Sequence, residues 1–373
     1  MSLNQEPAPC NKPIAADLAQ LALTWKVIPI VSALNEVGVT KLIPEDGSGV
    51  DVVQLAQQSK VDSDLLYRYL RFVSALGVFK ELPSRHFAHN ESSKMLLPGH
   101  YVFYMLLFHG SAKTGLMSAA EYATQLREPS KSAVEHALQM PMWQYLAQTP
   151  ELEKHFADFM HIRSNLVIPR ILQNIELPET GIVADVGGGF GHVLLELLKA
   201  NPKLIGIIYE LPTVAKLVEE GLKSPSPPSD SIHSKYPIEV KQRVSVVAGS
   251  YTNVIQMKQI SNADVFFFKW IFHDNNDEVC TKILAALYQV MKPSAKIIIC
   301  DCVFKHTLNE WKFPIALDLI MAEATSGKER TQQEWTKLIS NGEGYHYSVS
   351  FGGCNFDKLE LDIITLNKKV SSA

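Results

Sequence analysis

Residues 181–192 read Gly-Ile-Val-Ala-Asp-Val-Gly-Gly-Gly-Phe-Gly-His, and this stretch decides the fold. The apolar run 181–186 predicts a buried strand. Gly187, Gly188 and Gly189 then let the backbone turn sharply and approach a ligand with no Cβ in the way. From His192 to Leu198 the apolar spacing turns helical. Asp185 therefore stands at the end of a strand, where an open α/β sheet places its ligand crevice. About 20 residues on, Gly206-Ile207-Ile208-Tyr209 predicts a second apolar strand ending in Glu210, an acid placed to accept hydrogen bonds from two ribose hydroxyls. The alternative is a tight strand–helix turn that binds nothing. The acid on the next strand favours a nucleoside-bearing cofactor.

The turn is not a phosphate loop. Gly-x-x-x-x-Gly-Lys-[Ser/Thr] is absent, so no lysine is placed to reach a triphosphate. Gly187, Gly189 and Gly191 space as Gly-x-Gly-x-Gly, unlike the dinucleotide fingerprint. A carboxylate at Asp185 would also repel a pyrophosphate. A cofactor with a cationic head and no phosphate fits better. In these residues the chain resembles the class I S-adenosylmethionine-dependent methyltransferases.

With 373 residues the chain can hold two or three domains with sizeable cores. Its 46% hydrophobic and 20% charged content suits an ordinary soluble globular protein. A net charge of −4 exerts no long-range pull on nucleic acid or anionic lipid. Glu6, Pro7, Pro9 and Pro13 precede any apolar run, which does not suit a secretory signal. No apolar run reaches the roughly 18 residues of a membrane span. Cys10, Cys280, Cys300, Cys302 and Cys354 are odd in number and scattered, as reduced thiols of a cytoplasmic protein would be. Cys300 and Cys302 are too close for a usual zinc pair, and no metal is expected.

Residues 1–13 are expected to form a disordered lead, 14–168 a helical, winged-helix-like domain, and 169–373 a catalytic domain. Ile14, Leu18, Leu21, Ala22, Trp25, Ile28, Val31, Leu34 and Val37 recur at helical spacing. That is more apolar surface than one core contact needs, so a partner subunit is expected. Val52 to Gln58 predicts a short helix. Asp62 and Ser63 open a second over Leu65 to Ala75, which Gly77 ends. Val78 to Leu82 and His86 to Ala88 predict a hairpin, completing a winged-helix pattern. The second helix offers only Arg68 and Arg71, not the basic stripe of a DNA reader, so no nucleic-acid partner is expected. Residues 98–180 read as mostly helical, with Trp143, Met142, Phe156, Phe159 and Met160 as core or as the wall of an apolar pocket. His161 and Arg163 each suit substrate contact or an ordinary surface position.

From 181 onward strand and helix alternate, the sign of a doubly wound, mostly parallel sheet. Strands are predicted at 181–186, 204–210, 243–248, 264–269 and 296–302, with a late pair near 345–351 and 360–366. Ser224 to Tyr236 reads as a surface loop. Phe266-Phe267-Phe268-Lys269-Trp270-Ile271-Phe272-His273 runs off a strand, so His273 lies past the same sheet edge as the glycine turn. Asp301 ends another strand, and Glu329 follows the helix Phe313 to Ala324. A histidine flanked by two acids is a general-base arrangement: one acid holds the ring by its other nitrogen, and both favour the imidazolium.

Four segments together resemble the plant-type O-methyltransferases, the group of caffeate, flavonoid and N-acetylserotonin O-methyltransferases. They are Asp185-Val186-Gly187-Gly188-Gly189, Tyr209-Glu210-Leu211-Pro212, Lys269-Trp270-Ile271-Phe272-His273-Asp274 and Gly327-Lys328-Glu329-Arg330-Thr331. The resemblance covers nearly the whole chain. It implies an α/β, Rossmann-like catalytic domain, an amino-terminal dimerisation domain and S-adenosyl-L-methionine as cofactor, released as S-adenosyl-L-homocysteine. It further implies a cofactor site of Asp185, Gly187, Gly188, Gly189, Glu210, Leu211, Ser250, Tyr251 and Lys269. His273 would be the base, supported by Asp301 and Glu329. Trp143, Met160, His161, Met321 and Thr325 would line the acceptor pocket. Three positions depart from the family pattern. Ser250 stands where an aspartate is usual, Asn275 where a tryptophan is usual, and Asp301 where a glutamate is usual. The first two remove adenine-side partners, and the third shortens an acid by one methylene.

The activity implied is methyl transfer to a small phenolic or enolic metabolite. Two other readings stay open: pericyclic, decarboxylating or hydroxylating chemistry on a bound cofactor, and a non-enzymatic wing-bearing regulator.

Overall fold

A computed structural model describes residues 24, 26–110, 118–224, 232–304, 313–340, 345–352 and 361–369. The expected lead, the apolar positions Ile14 to Ala22, Trp25, Cys10 and Cys354 lie outside these. The chain divides into two compact units, 1–112 and 113–373.

In the first unit, α1 (Val27–Glu36) precedes β1 (Val50–Asp51), α2 (Val52–Ser59), α3 (Ser63–Ala75), β2 (Lys80–Leu82) and β3 (His86–Ala88). Both winged-helix helices start at an aspartate. The Asp51 carboxylate accepts the N–H of Val53 at 2.8 Å, and that of Asp62 accepts the N–H of Leu65 at 2.8 Å. Each such cap is worth about 1 kcal/mol. The hairpin begins at Lys80 rather than Val78, because the N–H groups of Gly77 and Val78 close the end of α3 on Ser74 and Val73. Strand β1, not foreseen, pairs antiparallel with β3 through Val50 and Phe87. Leu66, Leu70 and Val73 of α3 bury against Val52, Leu55, Phe79 and Phe87.

The second unit carries α4 (Ala119–Arg127), α5 (Pro150–Asn174), β4 (Gly181–Val186), α6 (His192–Ala200), β5 (Leu204–Glu210) and α7 (Pro212–Lys223). It continues with β6 (Val244–Ala248), β7 (Val265–Lys269), α8 (Asp277–Val290), β8 (Lys296–Asp301), α9 (Phe313–Thr325), α10 (Gln332–Ser340), β9 (Tyr347–Gly352) and β10 (Asp362–Lys368). Seven strands lie in the order β9-β10-β8-β7-β4-β5-β6. The pairs β8–β7, β7–β4, β4–β5 and β5–β6 are parallel, while β10 runs antiparallel to β8 and β9 to β10. Every predicted strand of this unit is present, 181–186 and 204–210 with unchanged bounds and the others with ends shifted by one or two residues.

Strand β7 shows why the sheet is covered on both faces. Val265, Phe266, Phe267 and Phe268 are all fully buried. Alternation along a strand sends neighbours to opposite sides. Phe266 and Phe268 join Ile283 of α8 and Trp335 of α10, whereas Val265 and Phe267 join Leu194 of α6 and Ile168 of α5. Burying such a side chain is worth about 1.5–3 kcal/mol. The chain order turns back between β4 and β7, the switch point where open α/β sheets form their crevice.

Residues 118–174 gather with the sheet rather than with the winged module. Tyr122 donates to Glu323 at 2.8 Å, Gln125 to the Ala322 carbonyl at 2.6 Å and Ser132 to the Ala324 carbonyl at 3.1 Å, tying them to α9. The segment expected as a surface loop ends differently too. Ile232–Lys235 is a 3-10 turn, His233 and Tyr236 are buried, and the Tyr236 hydroxyl meets Nδ1 of His192 at 2.7 Å.

Candidate functional site

The glycine turn leaves β4 at the switch point. Gly187, Gly189 and Gly191 hold φ of +71°, +55° and +78°, which side chains disfavour. Gly188 is required for another reason: a Cβ there would lie 2.6 Å from the Asp185 carboxylate. Space is open around Gly189, where a Cβ would meet nothing within 4 Å. Glu210 at the tip of β5 holds the turn from the side, accepting the Gly189 N–H at 3.0 Å on one oxygen and the Leu211 N–H at 2.7 Å on the other.

Asp185 is buried, and its Oδ2 has no hydrogen-bond partner among the described residues. Burial pushes its carboxyl up to about 7, with the Lys269 ammonium pulling the other way. Lys269 is brought down to about 8 by burial, against the attraction of Asp185. A buried acid with a spare oxygen beside an open glycine turn fits a cationic ligand group. Ser250 and Tyr251 follow β6 at the same edge. The Ser250 hydroxyl meets that of Thr252 at 2.8 Å and its N–H donates to Gln256 at 2.8 Å, so the residue in the aspartate's place is tied into its own turn. Asn275 donates to the Ile271 carbonyl at 2.6 Å and faces the hydroxyl of the half-buried Tyr251 at 3.5 Å.

His273 lies four residues past β7 and is buried. Its Nδ1 is 2.7 Å from Oε1 of Glu329. Glu329 is thus the acid that holds the ring by one nitrogen, while Asp301, at the end of the adjacent strand, accepts the backbone N–H of His273 at 3.0 Å on Oδ2 and steadies the loop that bears the ring. The second acid near the ring is Asp274, with Oδ1 3.5 Å from Nε2. Burial alone would drive the imidazole down. Glu329 first, then Asp274 and Asp301, outweigh it and lift His273 to about 9. Burial in turn raises Asp301 to about 7 and Asp274 to about 6, each partly offset by His273.

Two residues that sequence reasoning gave no role hold this loop. The fully buried Arg330 donates to the carbonyls of Phe272 at 2.9 Å and Asn275 at 2.7 Å, and to Asp277 at 2.9 Å. Gly327 packs so tightly that a Cβ would lie 2.0 Å from the His273 carbonyl, and the next residue, Lys328, donates its N–H to that carbonyl at 2.9 Å. Both stand beside Glu329 in the sequence, the one signal that could have marked them.

The expected acceptor-pocket residues are spread over three helices. Trp143 is exposed and packs edge-on against Phe156 at 5.5 Å, while Met160 of α5 is half-buried against the core. Met321 of α9 is buried, and Thr325 turns its hydroxyl back to the Met321 carbonyl at 3.0 Å. His161 belongs to a separate network. Its Nε2 meets Lys235 at 3.2 Å and Asn165 at 3.4 Å, and its ring packs edge-on to His192 at 4.2 Å. Burial, then Lys235, brings it down to about 4, so it is neutral.

Residues 120–346 match the O-methyltransferase domain family. The chain is 28% identical over 334 residues to the (R,S)-reticuline 7-O-methyltransferase of Papaver somniferum, covering 84% of this chain and 87% of that protein. It is 27% identical over 339 residues to flavonoid 7-O-methyltransferase 1B of Mentha piperita, covering 86% and 89%. Among solved structures, the mitomycin 7-O-methyltransferase MmcR superposes with a TM-score of 0.80 at 22% identity, over 95% of this chain and 98% of that one. Human N-acetylserotonin methyltransferase in complex with SAM gives 0.74 at 17%, over 98% and 100%. The two superpositions show the fold.

Proposed function

This chain belongs to the O-methyltransferase family, and from that premise we propose that it moves the methyl group of S-adenosylmethionine to a hydroxyl of a small phenolic or enolic metabolite, with His273 as general base. The observation that carries the reading is the buried His273–Glu329 pair, 2.7 Å apart, past the same sheet edge as the glycine turn. The relatives' acceptors, reticuline, flavonoid and mitomycin by their names, are small molecules of this size class.

S-adenosylmethionine supplies an already activated methyl on a sulfonium. Glu210 and Leu211 would hold its ribose side, Asp185 and the turn Gly187, Gly188 and Gly189 its cationic amino-acid end, and Lys269, Ser250 and Tyr251 the surrounding wall. With Nδ1 engaged by Glu329, the ring takes a proton on Nε2. A phenol of pKa near 10 lies several units above a free imidazole at about 6.5. Lifting His273 to about 9 nearly closes that gap. The cost is a small neutral fraction at neutral pH, and a base matched to its acid transfers the proton efficiently once neutral. Trp143, Met160, Met321 and Thr325 would bound the acceptor, and His161 would brace the wall behind Met160. Burial of His273 keeps water from competing for the proton.

The dimer is read from apolar side chains on the first unit: Ile28, Val37, Val53, Leu65 and Tyr69 are exposed there. We infer a homodimer paired through that unit, acting in the cytoplasm. Incubating the protein with S-adenosylmethionine and a panel of phenols tests the activity. Equimolar S-adenosylhomocysteine and methyl ether support it; substrate converted with no S-adenosylhomocysteine released would favour the non-methylating alternative.

A further inference from the structure

We propose that Asp318 is the positioning residue of the base: it fixes Glu329 against the His273 ring and ties that pair to the helix expected to wall the acceptor; this rests on the reading of His273 as the base. Asp318 lies on α9, about one turn before Met321 and two before Thr325. Its Oδ1 accepts the backbone N–H of Glu329 at 2.8 Å. The Glu329 carboxylate is buried and meets the ring through Oε1 at 2.7 Å, while Oε2 has no hydrogen-bond partner among the described residues. With one oxygen unengaged, the aim of the carboxylate depends on where its own backbone is held.

That backbone is held from three sides. Asp318 takes the N–H of Glu329, Arg330 pairs in parallel register with Val303, two residues past Asp301, and the Lys328 N–H donates to the His273 carbonyl at 2.9 Å. The loop also returns to α9, where the Gly327 N–H donates to the Met321 carbonyl at 3.2 Å. Met321, Asp318, Glu329 and His273 therefore form a closed circuit from the expected acceptor wall to the base. Asp318 supplies the side-chain link between α9 and Glu329. It faces Glu329, Glu334 and Lys328, whereas the groups acting most on the His273 ring are Glu329, Asp274 and Asp301. Asp318 thus works through Glu329 and not on the ring itself. A carboxylate acceptor makes a shorter and stronger bond to an N–H than a neutral one, which suits a contact that must keep one geometry.

The test reads the ring directly. The whole protein, labelled with ¹⁵N-histidine, is titrated from pH 5.5 to 10, and long-range proton–nitrogen spectra report which nitrogen of the neutral ring carries the proton. His273→Gln identifies the His273 signals. Wild type is expected to show a neutral ring protonated on Nδ1, towards Glu329, with its inflexion near about 9. Asp318→Leu keeps the outline of the side chain and removes the acceptor. It should lower the inflexion by about one pH unit, the scale of a hydrogen bond to a charged group, and mix the two tautomers. Asp318→Asn keeps an oxygen in place and should hold the inflexion within about 0.3 unit of wild type with Nδ1 still protonated. A residue that only stabilised the fold would lower the Tm in Asp318→Leu and leave inflexion and tautomer unchanged. That result overturns the proposal, as does a full-unit shift in Asp318→Asn or a wild-type ring protonated on Nε2. Should Asp318→Leu not fold, Asp318→Ala makes the same removal with less bulk, and the wild-type tautomer and Asp318→Asn still decide. Because the spectra need neither acceptor nor turnover, a protein that gives these shifts yet transfers no methyl group would fail the earlier reading and not this one.

Discussion

Nδ1 of His273 sits 2.7 Å from Oε1 of Glu329, a residue 56 positions away, and both side chains are buried. Replacing Glu329 with Gln removes the first carboxylate that lifts the imidazole. The wild-type rate is expected to rise with pH as His273 loses its proton, and in Glu329→Gln that rise is expected to move to lower pH. The plateau falls by roughly ten- to a hundredfold, because a weaker base takes a phenolic proton less readily. A kcat/KM profile from pH 6 to 10 checks this, and an unmoved inflexion counts against the pairing. Stability follows the same proton. The folded imidazole is raised, so the pair's contribution is complete below the unfolded pKa of about 6.5 and is lost as pH rises through about 9. The Tm gap between wild type and Glu329→Gln should shrink over that window.

His273→Ala is expected to lower kcat by about 10²–10⁴-fold, the usual reach of a positioned base. Affinity for S-adenosylhomocysteine should stay within about twofold, since the glycine turn is held by Glu210. Single-turnover kinetics and calorimetry measure the two; undiminished turnover would remove His273 from the mechanism.

Glu210→Ala should act in the opposite sense. Both carboxylate oxygens hold backbone N–H groups of the turn and of its own strand end. Their loss is expected to weaken S-adenosylhomocysteine by about tenfold or more, consistent with hydrogen bonds to a charged group. Titration calorimetry reads it, and wild-type affinity in this variant would contradict the assigned cradle.

Gly327→Ala tests whether the two loops must touch. Its Cβ would lie 2.0 Å from the His273 carbonyl, backbone that can yield only by moving the loop. A loss of about 1–3 kcal/mol in urea unfolding is expected, the cost of overpacking, with turnover falling further than stability. Equal and small effects on both would mean the loop moves freely.

Arg330→Met removes the charged donor from the carbonyls of Phe272 and Asn275, leaving them the weaker Asn275 N–H and Cys280 thiol. Hydrogen bonds from a charged group contribute about 1.5–3 kcal/mol each. Urea unfolding should show a drop of that size, and the pH profile should broaden as His273 loses its fixed position. A variant as stable as wild type would show that Asp277 and the backbone hold the loop unaided.

Much of this was legible in local sequence. A buried parallel strand is a run of apolar residues, a turn that must come close to a ligand is a run of glycines, and a helix start is an aspartate before an apolar stripe. Gly181 to Val186, the glycines that follow and Asp62 each announce their element through chemistry contained in a few neighbouring residues. The registers of Leu204–Glu210 and Val265–Lys269 are local in the same way. What escaped depends on partners distant in sequence. Asp301 is a strand-end acid in the sequence, but the approach of β8 to β7 decides that it meets a backbone N–H and not a ring. Val50 and Asp51 are too short to read as a strand until Phe87 pairs with them. Tyr236 looks like loop until His192 receives its hydroxyl.

The sequence alone therefore determined the doubly wound sheet, the glycine turn with its two acids, and the histidine and glutamate that belong to one site, because each is written in periodicity, backbone freedom or a short motif. Tertiary structure alone decided which nitrogen of His273 Glu329 holds, that Asp274 faces the other, that Arg330 and Gly327 fasten the loop, and that Asp318 takes the Glu329 N–H. Those are matters of distance and burial, and in a low-dielectric interior a shift of an ångström decides whether a charge is paired or left to titrate.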